Sequence, residues 1–355
     1  SALKSEDEKI DIGHAGTAMR FLTSYYSSLI NSSKILTGSE RMKQRPISIL
    51  VDALNHIGAE IEYLESEGYP PIKLKGKLIT NNVVILPANV SSQYISSLMM
   101  LGVSLEDGLK INLSTKITSL PYIKMTKILI ERIGGEVIIK SDKIIIKPFL
   151  AHNISDQTVE SDWSSASYFY SLVALSDYSE ITISTFFKKS IQGDSRIENI
   201  YRKFGVETSF RDNKIHLKKV NVELPEIISI NLQDNPDLAQ TIIITCLGLG
   251  VDCDLQGLHT LKIKETDRLI ALKKEIEKFD VDRVEVSDQS IILKNNSKLK
   301  SNVTVDTYND HRMAMSFAPL SLIIPIIIRN PEVVSKSYSN FWNDLKSVGF
   351  HISKK

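Results

Sequence analysis

The chain is poor in cysteine. Two residues, Cys246 and Cys253, stand seven positions apart in a sequence of 355. That excludes a disulfide framework and fits a reducing compartment. With no His–Cys cluster nearby, the pair reads as buried thiols rather than as metal ligands. An excess of charge of one sign is lacking as well. Lys and Arg total 43 against 42 Asp and Glu, for a net charge of +1, so no overall field draws in nucleic acid or an anionic membrane. Any bound anion must therefore be met by positive charge concentrated locally. Long apolar runs are missing too: residues 238–251 and 317–328 are too short, or too broken by proline, to span a bilayer. The opening SALKSEDEKID shows neither a secretory nor a transit pattern, and the expectation is a soluble, cytoplasmic protein. G-x-G-x-x-G and G-K-S/T are both absent, which excludes the dinucleotide fingerprint and the P-loop.

What the sequence does contain is a repeat. Residues 49–76, 125–147, 197–219, 269–294 and 341–355 share one pattern: a helix-period stretch, a glycine or its equivalent, then two short strand-like runs, the fifth cut short by the chain end. Each reads as an amphipathic helix closed by a C′ residue and followed by a β-hairpin. The C′ positions Gly58, Gly134, Gly205, Asp280 and Gly349 stand 76, 71, 75 and 69 positions apart. The period exceeds the solenoid range of about 20–50 residues, so large α/β units clustered around shared cores are expected. A copy projected one period before Gly58 falls outside the sequence, and the array is expected to lack its N-terminal unit. The length suggests two domains.

Charged residues gather where helices should begin. In IGHAGTAMRFL (12–22), Gly13 and Gly16 let backbone N–H groups approach a ligand. Thr17 is expected to cap a helix with Arg20 in its first turn. SERMKQRPI (39–47) packs Arg41, Lys43 and Arg45 ahead of a proline. In LKIKETDRLIAL (261–272), the four-residue spacing of Lys264 and Arg268 predicts one shared helix face, flanked by Glu265 and Asp267. In TYNDHRMAM (307–315), Asn309 or Asp310 is expected to cap an apolar helix that starts with His311 and Arg312. Cations there oppose the helix dipole, as a pocket for an anion would require. Ser91, Ser92 and Gln93 open another helix with groups suited to a phosphate or a ring of hydroxyls. Asp237 stands at the mouth of an apolar helix, either as a dipole-favoured carboxylate or as a general base. Taken singly, these stretches also read as a tight loop, a solvated basic turn, a salt-bridge ladder, a hydrogen-bonded histidine and an Asp310–Arg312 ion pair. Together they suit substrates that carry phosphate and carboxylate. No residue spacing argues for a metal or for a Ser–His–Asp order.

The motifs AGTAMR (15–20), RMKQRP (41–46), SSQ (91–93), SxPY (119–122), SSASYF (164–169), PDxAxT (236–241), KETDR (264–268) and TYNDHRMAM (307–315) resemble, in this order, the 5-enolpyruvylshikimate-3-phosphate synthase family of enolpyruvyl transferases. The resemblance runs from about residue 12 to about 345, and KETDR and TYNDHRMAM are its most specific parts. It implies an inside-out α/β barrel of repeated βαββ-type units (EPT/RTPC-like), with two domains, 1–160 and 161–355, that close over the substrates about a hinge near Glu160–Asp162. It implies a 3-phosphoshikimate 1-carboxyvinyltransferase of aromatic amino acid (chorismate) biosynthesis, acting on phosphoenolpyruvate and shikimate-3-phosphate as a monomer, with no cofactor and no metal. Carried over by motif, Gly16, Arg45, Lys264, Arg268, Arg312 and Lys336 surround phosphoenolpyruvate with His311 beside it, Arg20 binds substrate, and a residue larger than Gly16 would crowd glyphosate, the family's inhibitor. Ser91, Ser92, Gln93, Ser119 and Tyr122 hold shikimate-3-phosphate. Asp237 faces the 5-hydroxyl, and Glu265 with Lys264 moves protons at the methylene carbon.

The sequence departs from the family at three places. Nothing matches the family's opening lysine–serine and serine–asparagine–arginine segment. His14 replaces asparagine. Leu120, Thr260 and Leu261 replace a lysine, a polar and an aromatic residue. The missing segment raises an alternative, a non-catalytic remnant that binds phosphorylated metabolites. A sister activity, UDP-N-acetylglucosamine 1-carboxyvinyltransferase, shares the fold but lacks the two most specific motifs.

Overall fold

A computed structural model describes residues 7–89, 91–150, 156–295 and 298–354. The chain forms two compact units, Ser1–Gln157 and Thr158–Lys355.

Three four-stranded sheets share one topology, in which the strands lie in the order first, second, fourth, third. In the first unit they are Lys9–Asp11, Ser33–Thr37, Ile72–Lys75 and Glu60–Tyr63, and Val83–Leu86, Leu109–Leu113, Lys143–Ile146 and Val137–Ile139. The second unit adds Ile227–Asn231, Asp252–Gln256, Ser290–Lys294 and Arg283–Val286. In each, the first two strands are parallel and the others antiparallel. Parallel neighbours need a crossover, and the crossover helices are Gly16–Ser28, Ser92–Gly102 and Ala239–Leu249. The second unit also holds the three-stranded sheet of Glu180–Ser184, Lys214–Lys219 and Val206–Arg211, and the parallel pair Val303–Val305 and Ile326–Ile328. The repeat read from the sequence is therefore real. Its C′ residues Gly58, Gly134, Gly205, Asp280 and Gly349 all take positive φ, where glycine is unstrained and Asp280 is tolerated. After Gly349 the described residues form no strand.

Strands alternate buried and exposed residues, BiBi at Ile72–Lys75 and eBeBe at Ile227–Asn231, so one face of each sheet meets a core. The helices inside are apolar nearly all round: in Trp163–Leu175 every residue but Ser165 is buried. Small polar residues on them bond sideways and set their register. Ser167 meets Thr241 at 2.8 Å and Thr245 donates to Ser171 at 2.8 Å. In the first unit Ser24 meets Ser97 at 2.6 Å and Thr126 donates to Ser96 at 2.8 Å. These pairings order neighbouring helices in the same direction, so their N-terminal, positive dipole ends lie abreast. That register places the site residues.

Two local expectations are corrected. The first helix begins at Gly16 with Ala15 before it and no side-chain cap. Thr17 lies inside it, its Oγ accepting from Gln93 Nε2 at 2.9 Å, and Arg20 falls in the second turn. Lys264 and Arg268 share no helix either. Lys264 follows the 3-10 turn His259–Ile263, and Arg268 opens Arg268–Glu277 behind Asp267, whose carboxylate accepts from Leu269 N and Ile270 N at 3.2 Å. An Asp one residue before the helix outcompetes the i,i+4 arrangement by capping it.

Candidate active site

The second unit brings seven of the expected residues into one ion network. Asp237, on the Pro236–Leu238 turn that leads into Ala239–Leu249, is its centre. Arg268 NH1 donates to its Oδ1 at 2.9 Å and Arg312 NH2 to its Oδ2 at 3.1 Å, while Lys264 Nζ lies 3.6 Å from Oδ1. Arg268, whose side chain is 2% exposed, spends its whole fork on carboxylates. Its Nε donates to Asp310 Oδ2 at 2.7 Å and its NH2 to Glu265 Oε2 at 2.7 Å. Glu265 in turn pairs with Lys336. Four cations thus face three carboxylates, Asp237, Glu265 and Asp310. The surplus is positive, as an anion site needs.

Electrostatics assigns the protonation states. Burial alone would raise the Asp237 carboxyl, but Arg312, Lys264 and Arg268 hold it well below the usual range, so it is ionised. For His311, burial and then the Arg312 charge push the imidazole down to about 3 against the pull of Asp310. It is neutral at working pH, and its Nδ1, 3.5 Å from Asp310 Oδ1, makes no hydrogen bond among the described residues. The simple readings of a hydrogen-bonded His311 and an Asp310–Arg312 ion pair are therefore both replaced. Asp310 caps the helix His311–Phe317 by accepting from Arg312 N at 2.9 Å. The Arg312 guanidinium turns instead to Asp237, to Ser164 Oγ at 3.0 Å and to the Tyr168 hydroxyl at 3.3 Å.

The first unit assembles the rest at its own helix N-termini. Arg20 is 4% exposed; its NH1 donates to Gly16 O at 3.0 Å, its NH2 to Pro46 O at 3.4 Å, and its Cζ lies 6.0 Å from the Tyr94 ring centre. A methyl on Gly16 would come within 2.6 Å of Arg45 NH1 and 3.0 Å of Arg20 NH1, so both guanidiniums crowd this helix start. Ser91 caps Ser92–Gly102 by accepting from Gln93 N at 3.3 Å, and Gln93 reaches Thr17. Ser119, with φ +54, precedes Leu120–Arg132, and Tyr122 N donates to its carbonyl at 3.1 Å. His14, which departs from the family pattern, binds Ser39 Oγ through Nδ1 at 2.9 Å. A hollow of about 300 Å³ elsewhere in this unit, lined by Ser48, Asp52, Tyr63, Glu67 and Tyr69, is acidic and holds none of the predicted residues.

Sequence reasoning left two contributors without a role. Ser164 and Tyr168 position Arg312, and their signal was SSASYF, quoted only as a motif. Cys246 and Cys253 are free and buried, as expected. Among the described residues no helix is long and apolar enough to cross a membrane.

Known proteins bear on this geometry at family level. A sequence model of EPSP synthase (3-phosphoshikimate 1-carboxyvinyltransferase) matches residues 1–345. A Bacteroides fragilis protein named 3-phosphoshikimate 1-carboxyvinyltransferase is 45% identical over 354 residues, 99% of this chain and 86% of its own length. One of the same name from Colwellia psychrerythraea is 35% identical over 340 residues, 95% and 78% of the two chains. In fold, EPSP synthase from Acinetobacter baumannii superposes with a TM-score of 0.73 at 21% identity, covering 99% of this chain and 81% of that one. The enolpyruvyl transferase NikO from Streptomyces tendae gives 0.66 at 11% identity over 90% and 73%. The α/β architecture is that of the enolpyruvyl transferases, and the chain belongs to the EPSP synthase family.

Proposed function

We propose that the chain transfers the enolpyruvyl group of phosphoenolpyruvate to the 5-hydroxyl of shikimate-3-phosphate and releases phosphate, in the making of aromatic amino acids. The observation that carries the roles is the ionised Asp237 carboxylate held by Arg268, Arg312 and Lys264. Asp237 takes the hydroxyl proton as the oxygen bonds to C2 of phosphoenolpyruvate, and Glu265 or Lys264 delivers a proton to the methylene carbon. The resulting tetrahedral adduct loses a methyl proton and its phosphate, which restores the double bond and balances the reaction. Arg312 and Lys336 hold the phosphate and carboxylate charge of the enolpyruvyl donor, Arg268 keeps Asp237 and Glu265 in place, and neutral His311 sits beside them without adding charge. In the first unit, Gly16, Arg20 and Arg45 offer N–H groups and guanidiniums to an anion. Ser91, Ser92, Gln93, Ser119 and Tyr122 serve the shikimate phosphate and hydroxyls. A hinge near Glu160–Asp162, a monomeric state and a cytoplasmic setting belong to the same proposal, the last supported by two free thiols.

The test is release of inorganic phosphate by the purified chain. The proposal expects release only when phosphoenolpyruvate and shikimate-3-phosphate are both present. Release with UDP-N-acetylglucosamine in place of shikimate-3-phosphate, or binding of both substrates with no turnover, contradicts it.

A further inference from the structure

A further buried carboxylate hydrogen-bonds none of the ion network's members. Glu275 is fully buried on the helix Arg268–Glu277. Its Oε2 accepts from Lys278 Nζ at 2.6 Å and from Asp306 N at 2.9 Å, and its Oε1 accepts from the Tyr308 hydroxyl at 2.6 Å. Burying a carboxylate is costly unless donors surround it, and here three do. Two of them belong to the segment 306–310, which contains two successive non-glycine residues in the left-handed region, Tyr308 at φ +52 and Asn309 at φ +55. Such a turn persists only where its surroundings hold it. The same segment ends at Asp310, the residue that binds Arg268 through Nε and starts the helix carrying Arg312.

Arg268 and Glu275 are seven residues apart, two turns along one helix, and so project from the same face about 10 Å apart. One rigid helix thus grips the 306–310 turn at both ends, by Glu275 at Tyr308 and by Arg268 at Asp310. We infer that Glu275 is a positioning residue: through Tyr308 it fixes the strained turn so that Asp310 holds Arg268 in the carboxylate network and sets Arg312 toward the anion. The inference rests on the proposed function for what the anion is, and on geometry alone for the positioning.

Tyr308→Phe deletes one hydrogen bond without changing the ring's volume. Expected are a five- to tenfold rise in KM for phosphoenolpyruvate, a KM for shikimate-3-phosphate within twofold of wild type, and an unfolding midpoint lowered only by the loss of that one bond. Glu275→Gln, which loses the charge but keeps the shape, should show the same split. Solvent exchange of the Arg268 Nε proton, read by NMR, should quicken at least tenfold in Tyr308→Phe. This readout stands whether or not the wild type turns over those substrates: a wild type inert with them overturns the proposed function, while the proton exchange still decides the positioning. Both KM values rising together, or an exchange rate equal to wild type, overturns the inference.

Discussion

Arg20 in the first unit and Arg268 in the second are both buried, yet they answer to different partners. Arg20 donates to the carbonyls of Gly16 and Pro46 and lies against Met42 sulfur and the Tyr94 ring. Arg268 donates to three carboxylates. A guanidinium held by neutral groups keeps its charge for a ligand, whereas one held by carboxylates stabilises ionised side chains and fixes where they point. The first arrangement suits binding of an anion and the second suits proton movement beside one. On the proposed function, the contrast puts a binding guanidinium in the first unit and a carboxylate-anchoring one in the second, beside Arg312.

The sharpest way to break this contrast is Asp237→Asn. Removing the ionised base while keeping its shape should lower kcat by roughly 100-fold or more and leave KM for shikimate-3-phosphate within threefold, as steady-state kinetics will show. A smaller effect is expected from Gly16→Ala. The added methyl, 2.6 Å from Arg45 NH1, displaces a guanidinium tip, so KM for phosphoenolpyruvate rises several-fold and inhibition by glyphosate weakens. Equal inhibition of both forms contradicts the crowding.

The third test uses pH. His311 titrates near 6.5 in an unfolded chain but only at about 3 in the folded protein. As pH falls through this window the unfolded state gains a proton that the folded state refuses. Stability therefore drops on acidification, by roughly 1.4 kcal/mol per pH unit at most. Denaturant midpoints of His311→Gln, measured from pH 6.5 to 4.5, should fall less steeply than those of wild type. Smallest is Ser91→Ala, which removes the cap of Ser92–Gly102 and should cost about 1 kcal/mol of stability. Its companion signature is a modest rise in KM for shikimate-3-phosphate, with KM for phosphoenolpyruvate unmoved.

Much of this was legible in the residues. The C′ positions at Gly58, Gly134, Gly205, Asp280 and Gly349 announced the repeat because a left-handed residue at a helix end is a local requirement. Arg312 was legible because a cation at a helix start opposes the dipole and is costly without a purpose, and Asp237 because a carboxylate at the mouth of an apolar helix is placed to serve as a base. What escaped was tertiary. The Ser167–Thr241 and Ser24–Ser97 pairings that align the helix starts join residues more than seventy positions apart, and a serine on a buried face looks locally like one on a wet face. Spacing alone puts Lys264 and Arg268 on one helix, and Asp267 overrides that by capping. Asp310 was paired with its neighbour Arg312 because adjacency was the only distance available, whereas the fold delivered Arg268 to it from another helix.

The central claim is that Arg312, turned from Asp310 toward Asp237 and the surplus positive charge around it, receives the enolpyruvyl donor. Calorimetric titration of Arg312→Ala with phosphoenolpyruvate alone, without the second substrate so that nothing turns over, measures this directly. Binding at least about tenfold weaker than wild type, a loss of roughly 1.4 kcal/mol, is the predicted result; an affinity equal to that of wild type contradicts it.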